Sequence, residues 1–536
     1  MDIAPQAGLR APVVYGGIER KEYILETNGC GIAFFDYDND GWLDIFVPGG
    51  SRIEGAPEGA TNRLYRNNRD GTFTDVTAKA GLRRVVWASG VCIGDFDNDG
   101  FDDLFLSCWG QNILYRNNGD GTFSDVTKRA NLLHEVLQWG AGCTFIDYNR
   151  DGLLDLFVGT YLDFDFKTVP RPGSSPDCLW KGVPVNCGPK GLPTGRNFLY
   201  RNNGDGTFSD VSGPSGIAKA DRRYAMTAVA ADFDDDGWPD IYVACDSTPS
   251  ILYKNQRDGT FADIALESGV AYNEDGREQA GMGVAIGDAS ASGRLDIFKT
   301  HFADDTPILY RNKGRGVFED ATGKAGLTSL TRYVGWGAGF EDFDNDGRLE
   351  ILFVNGSVYP EVEKRFPEVE HKNPRILLKD RGDGVYLNVS PVSGPGISDR
   401  HSSRGCAFGD FDNDGDVDVV IMNMNEPPSL LRNDVRTGNH WLNLKLVGTK
   451  SNRSAIGASV RVTAGGRRRR RDVLSQSSFY SQSDLRLHFG LGKAERADRI
   501  EIRWPSGLVE TLDDVKVDQM LVLREGSAGK AGKNAG

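Results

Sequence analysis

What the sequence lacks narrows its function first. Nowhere do 18 apolar residues stand in a row, and the mean hydropathy is −0.41, so a membrane-spanning helix is excluded. Met1-Asp2-Ile3-Ala4 is not a basic start followed by an apolar stretch, so no secretory signal is read there. Histidine is scarce, with six in 536 residues (His134, His301, His371, His401, His440 and His488), and none falls in an HExxH or comparable metal pattern. Neither a G-x-S-x-G elbow nor a phosphate-cradling loop appears. Cysteine is also sparse: eight residues do not make a disulfide scaffold, and Cys30, Cys92, Cys143 and Cys406 sit among small and apolar neighbours as buried thiols do. Cys178 and Cys187 differ, because the surrounding PDCLWKGVPVNCGPKGLP has no strand pattern; in an oxidising compartment a disulfide there would staple a loop. Two thiols without nearby histidine do not form a metal site. Basic charge is in deficit, 62 Lys+Arg against 76 Asp+Glu, and the net −14 argues against a general polyanion binder while leaving room for a local basic patch.

What is abundant is glycine, 67 residues, placed beside Asp and Asn in recurring turns. Length alone would suggest three or four domains of about 150 residues, but an internal repeat overrides that prior. One nonapeptide occurs seven times: DYDNDGWLD from Asp36, DFDNDGFDD from Asp95, DYNRDGLLD from Asp147, DFDDDGWPD from Asp232, DASASGRLD from Asp288, DFDNDGRLE from Asp342 and DFDNDGDVD from Asp410. The spacings are 59, 52, 85, 56, 54 and 68, a unit of about 55 residues with an insertion, placed at 161–194, in the third. A second phrase, LYRNNRDGTFTDVT at Leu64–Thr77, returns at Leu114, Leu199, Leu252, Leu309 and, eroded, at Leu377. Each unit thus offers a run after the nonapeptide, a run at LYRN, a hairpin turn rich in Asn and Gly, a run at GTFxDV and an apolar stretch before the next nonapeptide. Four strands repeated seven times, with no helical period between them, predict an all-β seven-bladed β-propeller over 1–433.

MDIAPQAGL at Met1–Leu9 aligns with TDVTAKAGL at Thr74–Leu82, while the seventh unit lacks that strand after LLRN at Leu430–Asn433. Residues 1–9 are therefore expected to complete the last blade and hide its open edge, a disordered leader being the alternative. From 434 to 525 the texture changes to alternating runs such as NHWLNLKLV and DRIEIRW, predicting a small antiparallel sandwich or barrel. Residues 526–536 read as a disordered tail. The run Arg467–Arg471 has two readings, a solvated hairpin or an anion contact; without interleaved aromatics it does not favour nucleic acid.

The nonapeptide carries the chemistry. Oxygen donors at positions 1, 3, 5 and 9, with Gly at 6, crowd like charge into a tight loop, which is unfavourable unless a cation sits among them. Calcium suits such a set because it takes six to eight oxygens at about 2.3–2.6 Å in irregular geometry, and a position-7 carbonyl can complete it; magnesium demands a stricter octahedron. The predicted ligands are Asp36, Asp38, Asp40 and Asp44; Asp95, Asp97, Asp99 and Asp103; Asp147, Asn149, Asp151 and Asp155; Asp232, Asp234, Asp236 and Asp240; Asp342, Asp344, Asp346 and Glu350; and Asp410, Asp412, Asp414 and Asp418. An EF-hand would need Glu at position 12, where Val47, Leu106, Val158, Val243, Lys299, Phe353 and Ile421 stand instead. The fifth loop puts Ser290 and Ser292 in place of acids and is expected to be empty or weak, leaving about six calcium ions whose charge would bring −14 to about −2.

These residues resemble the FG-GAP (VCBS) calcium-binding propeller repeat found in integrin α-subunit heads. SNRSAIGASVRVTAGG, SQSDLRLHFGLG and IRWPSG resemble the ASPIC/UnbV domain of the cartilage acidic protein family, in its bacterial type. The resemblance covers nearly the whole chain and implies a calcium-bearing propeller with a C-terminal β domain, extracellular or periplasmic. The missing secretion signal departs from it and leaves a cytoplasmic location open, and the fifth loop departs from its repeat.

The carboxylates being mostly committed to ions, function falls to variable loops on one face: Ser107–Gln111, Ala244–Ser250, Thr300–Thr306 and Asn423–Ser429. The first reading is a monomeric binding module recognising a protein or glycan through these loops and the insertion, with no nucleic-acid partner. The alternative is a calcium-dependent enzyme, a hydrolase or natural-product cyclase, with His301 and Asp304 or Asp305 as acid–base group and Asp246 as second carboxylate. Convergence of His301, Asp246 and Trp109 in one pocket would favour the enzyme.

Overall fold

The computed structural model describes residues 1–136, 138–220 and 223–527. The run following each nonapeptide, for example Asp44–Val47, is buried along its whole length, as a central strand packed on both faces must be. On one side it pairs with the apolar strand before the nonapeptide, Ala33–Phe35, and on the other with the LYRN strand Arg63–Asn67, which in turn pairs with Phe73–Asp75. This four-stranded antiparallel meander is blade 1. The same meander recurs from Trp87–Gly94, Gln138–Ile146, Ala225–Ala231, Val284–Gly287 and Gly335–Glu341, giving blades 2 to 6; the seventh, from Ser403–Gly409, has three strands. Each first strand lies against the first strand of the next blade, and that of blade 7 against that of blade 1, so the seven sheets close into a ring around an axial channel. Apolar clusters fill the wedges, such as Phe35, Phe46, Val91 and Leu104 between blades 1 and 2.

The N-terminal residues reach the open edge of blade 7. Asp2 bridges Leu431, Ile3 N–H donates to Leu430 O at 2.8 Å, and Arg432 N–H donates to Met1 O at 2.9 Å. The pairing is one bridge long, and the single helical turn that follows, Ala4–Ala7, matches the turn after the fourth strand of other blades, such as Ala265–Ser268 after Phe261–Asp263 in blade 4.

Beyond Asn433 two sheets face each other, Leu487–Gly492/His440–Val447/Gln519–Arg524 and Arg467–Asp472/Ser459–Ala464/Arg496–Arg503/Val509–Lys516. The second and third strands of the first sheet run parallel, so the domain is not purely antiparallel. Its core is continuous with the propeller: Leu444, Val460, Ile500 and Trp504 belong to one cluster with Phe96, Phe105 and Leu156 of blades 2 and 3. Of the tail read over 526–536, residues 528–536 lie outside the described residues.

The segment Leu474–Asp484 leaves this domain and enters the axial channel. Its residues Phe479 to Ser481 are fully buried, and Ser478 and Tyr480 adopt positive φ to fold it into a tight hairpin. It satisfies channel-facing amides of six first strands. Phe34 N–H donates to Gln482 O, Val91 N–H to Tyr480 O, Cys143 N–H to Gln476 Oε1, Val284 N–H to Ser478 O, Ala338 N–H to Ser478 Oγ and Phe408 N–H to Ser483 Oγ, at 2.6–3.2 Å. Tyr480 Oη meets Met226 Sδ of blade 4 at 3.0 Å, so all seven blades touch the plug.

Candidate metal centres and the loop face

Each nonapeptide links the first and second strands of its blade on the face covered by the C-terminal domain. Residues 4 and 6 have positive φ in all seven copies, from Asn39 (56°) and Gly41 (88°) to Asn413 (56°) and Gly415 (92°), which accounts for the Asn and Gly at these positions. Position 1 organises the turn: Asp36 Oδ1 accepts from Asp40 N–H at 2.8 Å and Oδ2 from Gly41 N–H at 3.0 Å. Position 9 anchors it to the LYRN strand, as where Asp44 Oδ1 accepts from Asn67 N–H at 2.7 Å.

Position 3 tests whether these loops suit a cation. Asp38 Oδ2 accepts from Arg66 at 2.9 Å and Asp97 Oδ2 from Arg116 at 2.5 Å, while Asp344 Oδ2 pairs with Lys379. The other oxygens, Asp38 Oδ1, Asp97 Oδ1, Asp344 Oδ1 and the equivalent Asp412 Oδ1, are buried with no hydrogen-bond partner, as is Glu350 Oε1. Orphaned acceptors are costly unless something electropositive meets them. In five loops, three carboxylates bring oxygens within 4.8 Å of one another: Asp36/Asp38/Asp40, Asp95/Asp97/Asp99, Asp232/Asp234/Asp240, Asp342/Asp344/Glu350 and Asp410/Asp412/Asp418. Burial pushes Asp95, Asp147, Asp342 and Asp410 up to about 7 and Glu350 to about 9, with neighbouring carboxylates adding to it. Such a donor set fits a hard divalent cation, which would relieve the repulsion and fill the orphan positions. The third loop has the same turn with Asn149 at position 3, and neither it nor the fifth joins such a carboxylate cluster among the described residues. There Ser290 Oγ bonds Ser292 Oγ at 3.1 Å, and Arg311 NH1 approaches Asp296 Oδ2 at 3.7 Å.

Two sets of residues, undistinguished in the sequence reading, tie the loops together. The Asn of LYRN donates to the position-2 carbonyl of the preceding blade at 2.7–2.9 Å: Asn67 to Phe411, Asn117 to Tyr37, Asn202 to Phe96, Asn255 to Tyr148, Asn312 to Phe233 and Asn433 to Phe343. Its recurrence in six copies was the available signal. Position 4 links neighbouring loops where it is Asn, as in Asn39 to Gly100 O and Asn98 to Gly152 O. In loops three and four it holds the C-terminal domain instead, Arg150 Nε donating to Pro505 O at 2.8 Å and Arg470 NH1 donating to Asp235 Oδ1 at 2.5 Å.

The opposite face carries the variable loops and the insertion. Cys178 and Cys187 are joined in a disulfide. Tyr161, Phe164 and Phe166 pack with Tyr23, Trp109 and Trp139 over the channel mouth. The residues considered for catalysis stay apart. His301 is buried with Nδ1 at 2.6 Å from Thr306 O and Nε2 unpartnered, and burial holds it well below the usual histidine range. Asp246 accepts from Tyr161 Oη at 2.6 Å and Ser247 Oγ at 2.9 Å, Asp305 accepts from Gln279 Nε2 at 2.7 Å, and Trp109 Nε1 donates to Phe164 O. Of these, Asp304 lines a pocket of about 180 Å³ with Trp180, Phe302, Arg332, Tyr333, Tyr359, Glu368 and Glu370.

The arrangement defines a class, the seven-bladed β-propeller with an acidic turn in each blade and a β domain seated on those turns. The chain belongs to the FG-GAP-like repeat family, whose model matches residues 36–106, 95–158, 191–243, 232–299 and 288–353. Residues 448–530 match the ASPIC and UnbV model. The chain is 25% identical over 502 residues to cartilage acidic protein 1 of Mus musculus and of Homo sapiens, matching 89% of its own length and 70% and 69% of theirs. To the Xenopus tropicalis protein of that name it is 30% identical over 279 residues, 51% of this chain and 40% of that one. Among solved structures, an Agrocybe aegerita lectin that recognises non-reducing terminal N-acetylglucosamine aligns with TM-score 0.40 and 16% identity over 75% of this chain and 94% of its own.

Proposed function

We propose that the protein is a calcium-stabilised binding module, a propeller over 1–433 capped by a β domain over 434–525, that engages a protein or glycan partner through its loop face. One observation carries the reading. The nonapeptide face is covered by the C-terminal domain, and the free face offers a pocket walled by Trp180, Phe302, Tyr333 and Tyr359 and rimmed by Asp304, Arg332, Glu368 and Glu370. Aromatic walls with charged edges suit ligands that are part apolar and part hydrogen-bonding. Trp180 is presented by the disulfide-closed segment, meeting Phe302 edge-on at 5.1 Å, so the pocket is built partly by the insertion. That disulfide also favours an oxidising compartment, outside the cytoplasm. Calcium is the reading for the six loops because their side-chain donors are all oxygens in a flexible turn. Ion binding within the first-to-second-strand turns would rigidify the scaffold that holds the loops.

The test is affinity capture on the immobilised full chain, with calcium, with chelator, and with Trp180→Ala. A partner retained by the calcium-loaded parent and released by both changes supports the reading. A partner held equally by Trp180→Ala sinks this pocket as its site.

A further inference from the structure

The second reading of the arginine run leads to a different surface. Between blades 5 and 6 and the C-terminal domain lies a groove of about 830 Å³. Arg311, Lys313, Lys324, Arg348 and the run Arg467–Arg471 line it, nine cations against five carboxylates, in a chain of net charge −14. The run is the edge strand of a hairpin with Ser459–Ala464, so its side chains alternate, and it is not solvated throughout, Arg470 being buried. Arg468 faces Glu501, Arg470 faces Asp235 and Asp472, and Arg471 faces Glu341. Arg467 and Arg469 form no salt bridge among the described residues. Arg467 is exposed, and Arg469 lies against Gly347 of the sixth loop within the field of Asp342 and Asp346, bonds carbonyls at 3.4 Å, and has its Nε buried and unpartnered. Standing two residues apart on one strand, they rise from the same side of it, their Cα atoms about 7 Å apart.

The groove also adjoins the one nonapeptide that has lost its acids. In blades 1 and 2 the LYRN arginines Arg66 and Arg116 are held by position-3 and position-5 carboxylates. Ser290 and Ser292 stand at those positions in blade 5, and Arg311 is left with Asp296 at 3.7 Å and Gly384 O at 3.2 Å. Thus the loop that offers least to a cation lies where the C-terminal domain brings its densest positive charge.

We propose that this groove binds a sulfated polysaccharide. Sulfate oxygens match the guanidinium fork and stay charged at every physiological pH. The volume falls in the range of about 300–1,000 Å³ used for ligands and exceeds what a single oxyanion fills. Phe489 is the one aromatic residue in the lining, too little for stacking a run of bases, and the apolar remainder is mainly alanines and Leu349, too little to anchor a peptide. A chain carrying anions at intervals can meet Arg467 and Arg469 together and continue toward Arg311 and Arg348.

The experiment titrates the full chain with dextran sulfate oligosaccharide by calorimetry, beside uncharged dextran, oligothymidylate and polyglutamate. The parent should bind dextran sulfate and leave uncharged dextran free. Arg467→Ala with Arg469→Ala should weaken binding at least tenfold, and Arg467→Glu alone, at an exposed and unpaired side chain, should weaken it without changing the melting temperature. Arg496→Ala with Arg499→Ala removes equal charge outside the groove and should change affinity less than twofold. Undiminished binding in the groove variants, an equal loss in the outside pair, or equal affinity for oligothymidylate or polyglutamate would each overturn the assignment.

Discussion

His488 Nε2 donates to Asn345 Oδ1 at 2.7 Å, and Asn345 Nδ2 donates to Gly415 O at 3.1 Å and to Asp416 Oδ1 at 2.9 Å. One nonapeptide residue therefore ties its loop both to the next blade and to the C-terminal domain. The acidic turns are joints of the whole molecule, and what happens to them should be felt throughout it.

Removing metal should accordingly destabilise the whole chain. An ion present at a hundredfold its Kd adds about 2.7 kcal/mol per site to the folded state. Excess chelator is expected to lower the melting temperature by at least about 10 °C, with calcium but not magnesium restoring it. An unchanged melt in chelator would refute calcium stabilisation.

Native mass spectrometry after brief dialysis should count six ions per chain. Asp342→Ala should leave five, because Asp342 organises the sixth turn through Asp346 N–H and Gly347 N–H. Seven ions in the parent would show that Ser290 and Ser292 cost the fifth loop less than argued.

A Cβ on Gly31 would lie 1.7 Å from Tyr480 O. Gly31→Ala should therefore push the hairpin out of the channel, costing about 1–3 kcal/mol or more, and expose Leu474–Asp484 to limited proteolysis. A cleavage pattern unchanged from the parent's would show that the plug tolerates the methyl group.

Asn202 Nδ2 serves Phe96 O at 2.8 Å and Leu154 O at 3.1 Å, and its Oδ1 accepts from Gly204 N–H at 2.9 Å. Asn202→Ala should cost about 1–3 kcal/mol by stranding buried carbonyls, read as a lower urea midpoint with an unchanged slope.

Glu525 accepts from Thr449, Lys450 and Ser451 N–H at 2.7–2.8 Å, and from the Ser506 hydroxyl, which together hold its carboxyl down to about 2. A depressed carboxyl stabilises the fold above the ordinary value of about 4.3 and loses that contribution as pH falls toward 2. Glu525→Gln should be less stable than the parent at pH 7, with the gap narrowing between pH 4.5 and pH 2 in urea titrations. A gap independent of pH would mean that shape rather than charge matters there.

The blade count and the acidic turns were legible because both are local: strand alternation and a nine-residue spacing repeat within the sequence. The pairing of Cys178 with Cys187 was legible as a possibility for the same reason. The plug was not, because LSQSSFYSQSD at Leu474–Asp484 reads as a polar loop. Its burial depends on amides such as Phe34 N–H and Val91 N–H, which only the closed ring turns inward. Nor did the alternation in NHWLNLKLV announce the parallel pairing of Leu442 with Gln519, since one residue's face says nothing of its neighbour's direction. Nor did the change of texture after Asn433 show that the C-terminal domain shares its interior with the propeller, as it does where Ile456 packs against Gly94 of blade 2.

The plug also constrains the order of assembly. Phe34 in blade 1 waits for Gln482, Val91 for Tyr480 and Cys143 for Gln476, separations of more than 300 residues. Until that segment is synthesised, a ring formed early keeps its axial amides in water, and the last step threads a hairpin into a preformed hole. Contacts this distant in sequence form slowly, so refolding should show a late phase in which Phe479 and Tyr480 become shielded after the blades have formed.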